Sequence, residues 1–308
     1  MPLALPAAEV EITPELVARL LREQHPDLAN LPLGTTFNGW DNVCIRLGAD
    51  HLLRLPRRSA GASLIMREIE WLPRLSAGWS FRAPVPERAG VPGAGYPWHW
   101  SIVPWIEGEL AHAAPLDTLG ARELGRALAE IHQPAGADAP RNEFRSPSLA
   151  ARTERLVARL RALEAAERTW DLQLNAALEL YADGAARGTG PRTFAHLDLH
   201  ASNVLTRDGH LAGILDWGDC AAAQPEADLG QAFCLIGGAR MTELIGAYVA
   251  AGGRGAAASS SGDLSADAWA RTRSEALMYA AFLASIDDAA YSDAGWAALN
   301  ALGVARRR

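Results

Sequence analysis

With 308 residues, 49% of them hydrophobic, the chain has room for one large or two smaller domains and can bury a sizeable core. Its net charge of -7 comes with no basic stripe, which argues against a nucleic-acid partner. All 29 of its Lys and Arg residues are arginine; a Walker A loop needs its lysine, so P-loop chemistry is excluded and any cationic phosphate ligand here is arginine. Cys44, Cys220 and Cys234 are few, odd in number and lack metal-ligand spacing, which fits buried thiols in a reducing compartment. The N-terminal MPLALPAAEVEITPELV has no positive region followed by a long apolar run, and no stretch reaches membrane-spanning length. A cytoplasmic monomer with no membrane partner is expected.

In chain order, Thr13 reads as an N-cap, with Pro14 and Glu15 in the first turn of a short surface helix, PELVARLLREQ. Thr35 to Arg58, TTFNGWDNVCIRLGADHLLRLPRR, reads as an antiparallel meander of two or three strands turning at Asn38-Gly39 and Gly48-Ala49-Asp50. SLIMREIEWLPRL follows as a helix ending near Pro73. A Pro-, Gly- and Trp-rich stretch leads to one more strand within Trp100 to Ile106, and the change there from strands to helices divides the chain into residues 1–105 and 106–308. Beyond it, TLGARELGRALAEIHQ and SLAARTERLVARLRALEAAERTWDLQLNAALELYADG are helical, the second with a solvated, charge-alternating face. Helical periodicity returns in DLGQAFCLIGGARMTELIGAYVAAGG, is broken by a flexible GGRGAAASSSG, and closes in a helical pair from about Ser265 to Leu302.

Between these helices lies HLDLHASNVLTRDGHLAGILDWGD, residues 196–219. Asp198 and Asn203 stand in the pattern H-x-D-L-x-x-x-N, and Asp216 opens D-W-G after an apolar run. Phosphoryl transfer to a hydroxyl needs this arrangement: one carboxylate beside the attacking hydroxyl to orient it and accept its proton, an amide oxygen and a second carboxylate to hold Mg²⁺ against nucleotide phosphates. The Thr206-Arg207-Asp208-Gly209 turn supports a hairpin that brings Asn203 and Asp216 together. Asp208 suits a turn, whereas a carboxylate directly after Gly213-Ile214-Leu215 is expected to be largely buried and costly without a cation. His196 and His200 are four apart but sit in a strand-like segment with no third ligand, so zinc is not expected; both support the catalytic loop, His196 by a backbone hydrogen bond.

These residues resemble the aminoglycoside phosphotransferase family, antibiotic kinases related in fold to protein kinases and including macrolide phosphotransferases. The likeness runs from GWDNVCIRLGADHLLRLPRR through EIEWLPRL, GYPWHWSIVPWIEGE and LAEIHQ to HLDLHASNVL, LAGILDWGD and EADLG. It implies an α+β, protein-kinase-like bilobal fold, with an N-terminal lobe of antiparallel sheet plus helix, a mostly helical C-terminal lobe, and ATP or GTP between them. Asp198 is then the catalytic base and Asn203 and Asp216 the Mg²⁺ ligands. The resemblance makes Ile102, Val103, Pro104 and Trp105 the hinge that meets the purine through backbone groups. Arg54 stands where many relatives use lysine, with Glu68 as its ion-pair partner and Glu70 as the alternative; otherwise Arg54 is a surface strand residue. The loop TTFNGWDN contains Gly39 alone, so backbone cradling of phosphates rests on few amides.

Acceptor contacts are expected from Asp219, Glu226, Tyr279, Asp287, Asp288 and Trp296, with Asp219 also readable as a second-metal ligand or a loop cap. Acidic contacts suit a polycationic aminoglycoside; an apolar, Trp-containing surface suits a macrolide with one amino sugar. LLRLPRR and AYVAAGG are similar to macrolide phosphotransferases, while Asn203 is the aminoglycoside-kinase choice; the balance leans to a macrolide substrate, with an aminoglycoside or a choline- or homoserine-type metabolite as alternatives. A protein kinase is disfavoured because no A-P-E pattern follows D-W-G.

Overall fold

In a computed structural model, which describes residues 6–166, 169–190, 192–253 and 263–308, Thr13 caps the first helix, α1 (Pro14–Gln24), by accepting a hydrogen bond from Leu16 N at 3.3 Å. Helix α1 buries Leu16, Val17, Leu20 and Leu21 in a cluster with Val43, Ile45, Leu53, Leu55 and Trp100 of a five-stranded antiparallel sheet. That sheet is β1 (Leu33–Asn38), β2 (Asn42–Leu47), β3 (His51–Pro56), β4 (Arg88–Gly90) and β5 (Trp100–Pro104), in the order β1-β2-β3-β5-β4. Strand β4 was not legible in its Pro- and Gly-rich surroundings. Its Gly90 lies under the Trp100 indole, where a Cβ would stand 2.0 Å from Cε2, so the residue that weakens the strand signal is the one that lets the ring lie down.

Helix α2 (Ser59–Leu75) starts earlier than the apolar periodicity indicates and continues past Pro73. A proline this near the end forfeits one donor while the last turn still closes through Ser76 N donating to Leu72 O. After β5 the chain adds β6 (Glu109–Leu110) and α3 (Thr118–Ile131), capped by Asp117. The long helical segment expected after it is two helices, α4 (Thr153–Ala166) and α5 (Leu174–Ala185), separated by β7 (Trp170–Leu172). Strand β7 pairs with a C-terminal strand, Ala305–Arg307, and this non-local pairing overrides the local helical preference.

The catalytic segment comprises β8 (Thr193–Ala195), the hairpin β9 (Val204–Arg207) and β10 (His210–Ile214), and β11 (Ala221–Ala223), which pairs back on β8. The hairpin turns through Asp208 and Gly209, both at positive φ. Helices α6 (Glu226–Ile236), α7 (Met241–Ala250), α8 (Ala266–Ala284) and α9 (Ala289–Ala301) complete the large core with α3 to α5, and the Ala305–Arg307 strand is β12. Most of the Gly- and Ser-rich GGRGAAASSSG falls at 254–262, outside the described residues. The fold is α+β. Among the described residues no single helix is long and apolar enough to cross a membrane.

Helix α6 runs beneath the catalytic loop, and its distance from α8 is set by Gly230, where a Cβ would lie 2.5 Å from Ala276 N. Gly230→Ala is expected to destabilise the protein by about 1–3 kcal/mol in urea titration, because backbone cannot yield as a side chain can, although alanine is the better helix former.

Candidate active site

Strands β8 and β11 pair through Ala195 and Ala221, which places the loop after one beside the turn before the other. Leu215 N donates to Asn203 O at 2.7 Å and His196 Nε2 to Leu215 O at 2.9 Å, so the two catalytic segments are bound together through backbone groups. Asp198 N donates to His196 Nδ1 at 3.2 Å, which fixes the ring tautomer with its proton on Nε2. This brace, and the edge contact of His196 with the buried Trp217 at 4.6 Å between ring centroids, leave neither nitrogen for a metal.

Two residues of the site hold strained backbone. Leu197 (φ 67°) and Asp216 (φ 60°) occupy the left-handed region that glycine favours, and each is locked by a buried carboxylate from another element. Asp228 of α6 accepts His196 N at 2.7 Å and Leu197 N at 2.8 Å, and is itself fixed by His132 Nε2 at 3.1 Å. Glu68 of α2 accepts Trp217 N at 2.9 Å. Asp228 and His132 lie within EADLG and LAEIHQ, yet neither residue type alone distinguishes a loop anchor from a surface polar group.

Asp198, Asn203 and Asp216 meet at one end of this frame. Asn203 Nδ2 donates to Asp198 O at 2.9 Å and Asp198 Oδ2 at 3.2 Å, so both amide protons are spent and the amide oxygen is left for a cation. The Asp216 side chain is 50% exposed rather than buried as expected, because the positive φ after Leu215 turns it out of the apolar hairpin. Arg54 Nη2 donates to Glu68 Oε1 at 2.8 Å and stands 3.5 Å from Asp216 Oδ1. Arg54 is therefore a buried residue and not a surface strand arginine, and its partner is Glu68, since Glu70 is exposed. Arg54 Nε has no protein partner and lies buried beside Asp216, a donor suited to a phosphate oxygen.

Asn203 and Asp216 fit Mg²⁺, which takes one or two protein oxygens and completes its shell with phosphate and water. Among the described residues no group of three or more His, Cys, Asp or Glu side chains converges as a metal site.

The residues expected to form the hinge lie at the end of β5. Ile102 and Val103 are fully buried in the sheet between β3 and β4, Ile102 O accepts Glu87 N at 2.9 Å, and Trp105 N donates to Asp50 O at 2.7 Å. Pro104 has no N–H to donate. At the neighbouring sheet edge Phe37 stacks on Trp105 with centroids 6.1 Å apart, and the Arg46 guanidinium covers the same indole at 3.9 Å.

Several acceptor candidates have other duties. Glu226 is fully buried and pairs with Arg271 at 2.6 Å, and Trp296 is a core residue stacked on Trp170 with centroids 5.9 Å apart. Asp288 caps α9 through Ala290 N at 3.0 Å, and Asp287 is exposed. Asp219 accepts Asn142 Nδ2 at 2.7 Å and stands 3.4 Å from Arg145 Nη1. Tyr279 alone of the distant candidates comes to the catalytic end, with its ring under the Arg145 guanidinium at 5.8 Å. Arg145, absent from the sequence expectations, places Nη2 2.9 Å from Asp198 Oδ1 and donates through Nη1 to Leu197 O. Burial works against ionisation of Asp198, but Arg145 and His200, whose Nε2 lies 3.4 Å from Oδ2, hold its carboxyl far below the usual carboxylate range.

Residues 35–273 match the profile of the phosphotransferase enzyme family (APH). The chain belongs to that family. Among solved structures this phosphotransferase is similar to the GDP complex of wild-type aminoglycoside 2'-phosphotransferase-IIIa, with 15% identity, TM-score 0.64 and coverage of 93% of this chain and 96% of that one. Macrolide 2'-phosphotransferase MphH from Brachybacterium faecium shares 19% identity over 93% of this chain and 97% of its own, with TM-score 0.60. The streptomycin–ATP ternary complex of APH(2")-IIa shares 17% identity over 89% and 90%, with TM-score 0.57. At these identities the likeness is one of fold, and it extends across both the sheet and the helical part. No match is found among curated proteins.

Proposed function

We propose that this phosphotransferase moves the γ-phosphate of ATP or GTP to a hydroxyl of an antibiotic, with macrolides preferred to aminoglycosides. The observation that carries the reading is the placing of Asp198, paired with Arg145, beside Asn203, whose amide oxygen is left free, and next to the turn that points the Asp216 carboxylate outward. In it the nucleotide lies between the sheet and the helical part, with Arg54, held by Glu68, directed at its phosphates. Mg²⁺, held by Asn203 and Asp216, would neutralise phosphate charge as the leaving group departs.

Asp198 orients the acceptor hydroxyl towards the γ-phosphorus. As the new O–P bond forms and the bond to the nucleoside diphosphate breaks, the hydroxyl proton passes to the Asp198 carboxylate. In a loose transition state the nucleophile keeps its proton until transfer is well advanced, so Asp198 accepts it late.

The preference among antibiotics rests on charge. Asp219 is tied by Asn142 and Arg145, Glu226 by Arg271 and Asp288 by the α9 N-terminus, so three of the four candidate acids are already engaged and only Asp287 is exposed. Purified protein incubated with Mg²⁺ and either nucleotide against a panel of macrolides and aminoglycosides tests this. Nucleotide consumption is expected with at least one macrolide and little or none with aminoglycosides. No consumption across the panel overturns the antibiotic assignment, and consumption confined to aminoglycosides overturns the preference.

A further inference from the structure

Arg145 belongs to neither catalytic segment, yet its guanidinium occupies the acceptor side of the proposed base. The turn that presents it is built for the purpose from both ends. Asn142 Oδ1 accepts Phe144 N at 2.9 Å and Arg145 N at 3.0 Å, Asn142 N donates to Ser146 Oγ at 2.9 Å, and Arg192 Nη2 donates to Ser146 O at 2.6 Å. Asn142 Nδ2 reaches across to Asp219 at 2.7 Å, fixing the carboxylate that flanks the guanidinium. Asn142 and Ser146 are buried, so both ends of the turn are anchored while Phe144 between them is exposed.

The guanidinium spans Asp198, Leu197 O and Asp219. Beneath it the Tyr279 phenol is buried and has no hydrogen-bond partner, although the residue is only 6% exposed. A buried hydroxyl without a partner is costly, and its ring's place under the guanidinium that pairs with Asp198 makes it a group that an acceptor could satisfy. Further positive charge stands behind on α4, where Arg155 and Arg159 lie over the Phe144 and Phe282 rings at 5.6 and 5.2 Å.

We propose that Arg145 is a specificity-determining residue, a fixed internal cation that occupies the place where a polycationic acceptor would put an ammonium group, with the Tyr279 hydroxyl as the adjoining contact for an acceptor oxygen. The inference rests on the phosphotransferase reading above and deepens it. A hydroxyl aligned on Asp198 brings its neighbouring substituents next to the guanidinium. An acceptor that is neutral or carries one distant amine keeps Arg145 in place. An acceptor with several ammonium groups must compete with the guanidinium for Asp198 and Asp219, and displacing Arg145 would strand a partly buried guanidinium without its carboxylates.

Calorimetric titration of erythromycin and of kanamycin onto the full chain, with ADP and Mg²⁺ present, separates the outcomes. In Arg145→Met the kanamycin Kd is expected to tighten by at least about 10-fold, the scale of one like-charge contact near a protein surface, while erythromycin changes little. Arg145→Lys, which keeps the charge, is expected to retain the discrimination of the parent protein. An unchanged kanamycin Kd in Arg145→Met, in protein whose near-ultraviolet dichroism shows it folded, overturns the proposal; so does a tightening of equal size in Arg145→Lys. Tyr279→Phe is expected to weaken erythromycin binding by about 5-fold, one hydrogen bond's worth, and an unchanged Kd removes the phenol from the acceptor site. Because binding is read without turnover, failure of the antibiotic reading appears separately, as absence of nucleotide consumption by the parent protein.

Discussion

Asp198→Asn is expected to lower turnover by about 10²- to 10⁴-fold, measured as nucleoside diphosphate release, while ATP or GTP still binds. The amide keeps a carbonyl oxygen that can orient the acceptor hydroxyl, and what it removes is the site that takes the proton. Nucleotide binding is expected to survive because Arg54, Glu68 and Asp216 pair among themselves and Asn203 keeps its bond to the Asp198 backbone carbonyl. Folding is expected to survive as well, since Arg145 retains Leu197 O and Asp219 as partners. A loss of turnover smaller than 10-fold would show that Asp198 orients the hydroxyl without accepting its proton.

Asp228→Ala is expected to cost about 3–5 kcal/mol of stability and to abolish activity together with it. The carboxylate is fully buried and accepts from His196 N, Leu197 N and His132 Nε2, so its removal strands two backbone donors next to a leucine held at φ 67°. Burial works against its ionisation, but His132 and the Leu197 N–H hold its pKa below the ordinary value. The stabilisation it supplies is therefore complete at neutral pH and is lost only as the pH falls through the lowered folded-state pKa. A thermal unfolding midpoint lower by several degrees checks the prediction, and an unchanged midpoint in folded protein would refute the anchoring role. Asp228→Asn is the sharper comparison, because it keeps the volume but sets an amide N–H against a donor that needs an acceptor.

Much of the site was legible because its parts are close in sequence. Asn203 and Asp216 flank one hairpin whose turn carries Asp208 and Gly209, so local turn chemistry brings them together, with Asp198 five residues before Asn203. The division near Trp105 was legible because alternation and helical periodicity are both local signals, while the α+β class came from the family resemblance. The strands β4, β7 and β12 were not legible, being three residues each and formed by pairing with distant partners.

The acceptor contacts were read with least success, for a physical reason. An acidic residue looks the same in sequence whether it faces a substrate, caps a helix as Asp288 does, or neutralises a buried arginine as Glu226 does. Which of these holds depends on burial and on partners far along the chain, and the distances involved are large: Arg54 meets Asp216 across 162 positions, and Arg271 meets Glu226 across 45. The same holds for the choice of Glu68 over Glu70, which the rotation of α2 against β3 decided.

By itself, then, the sequence pointed to the proposed reacting groups: Asp198, Asn203 and Asp216 at spacings that one hairpin draws together, in a chain with no lysine for a P-loop. Only the tertiary structure decided what surrounds them. It brought Arg145 from a polar turn between two helices onto Asp198, set Asp228 under the loop, and spent the acids expected to meet substrate on internal partners. Local geometry fixes chemistry that a short segment can hold, whereas the charge that an acceptor meets is the sum of groups that only folding gathers.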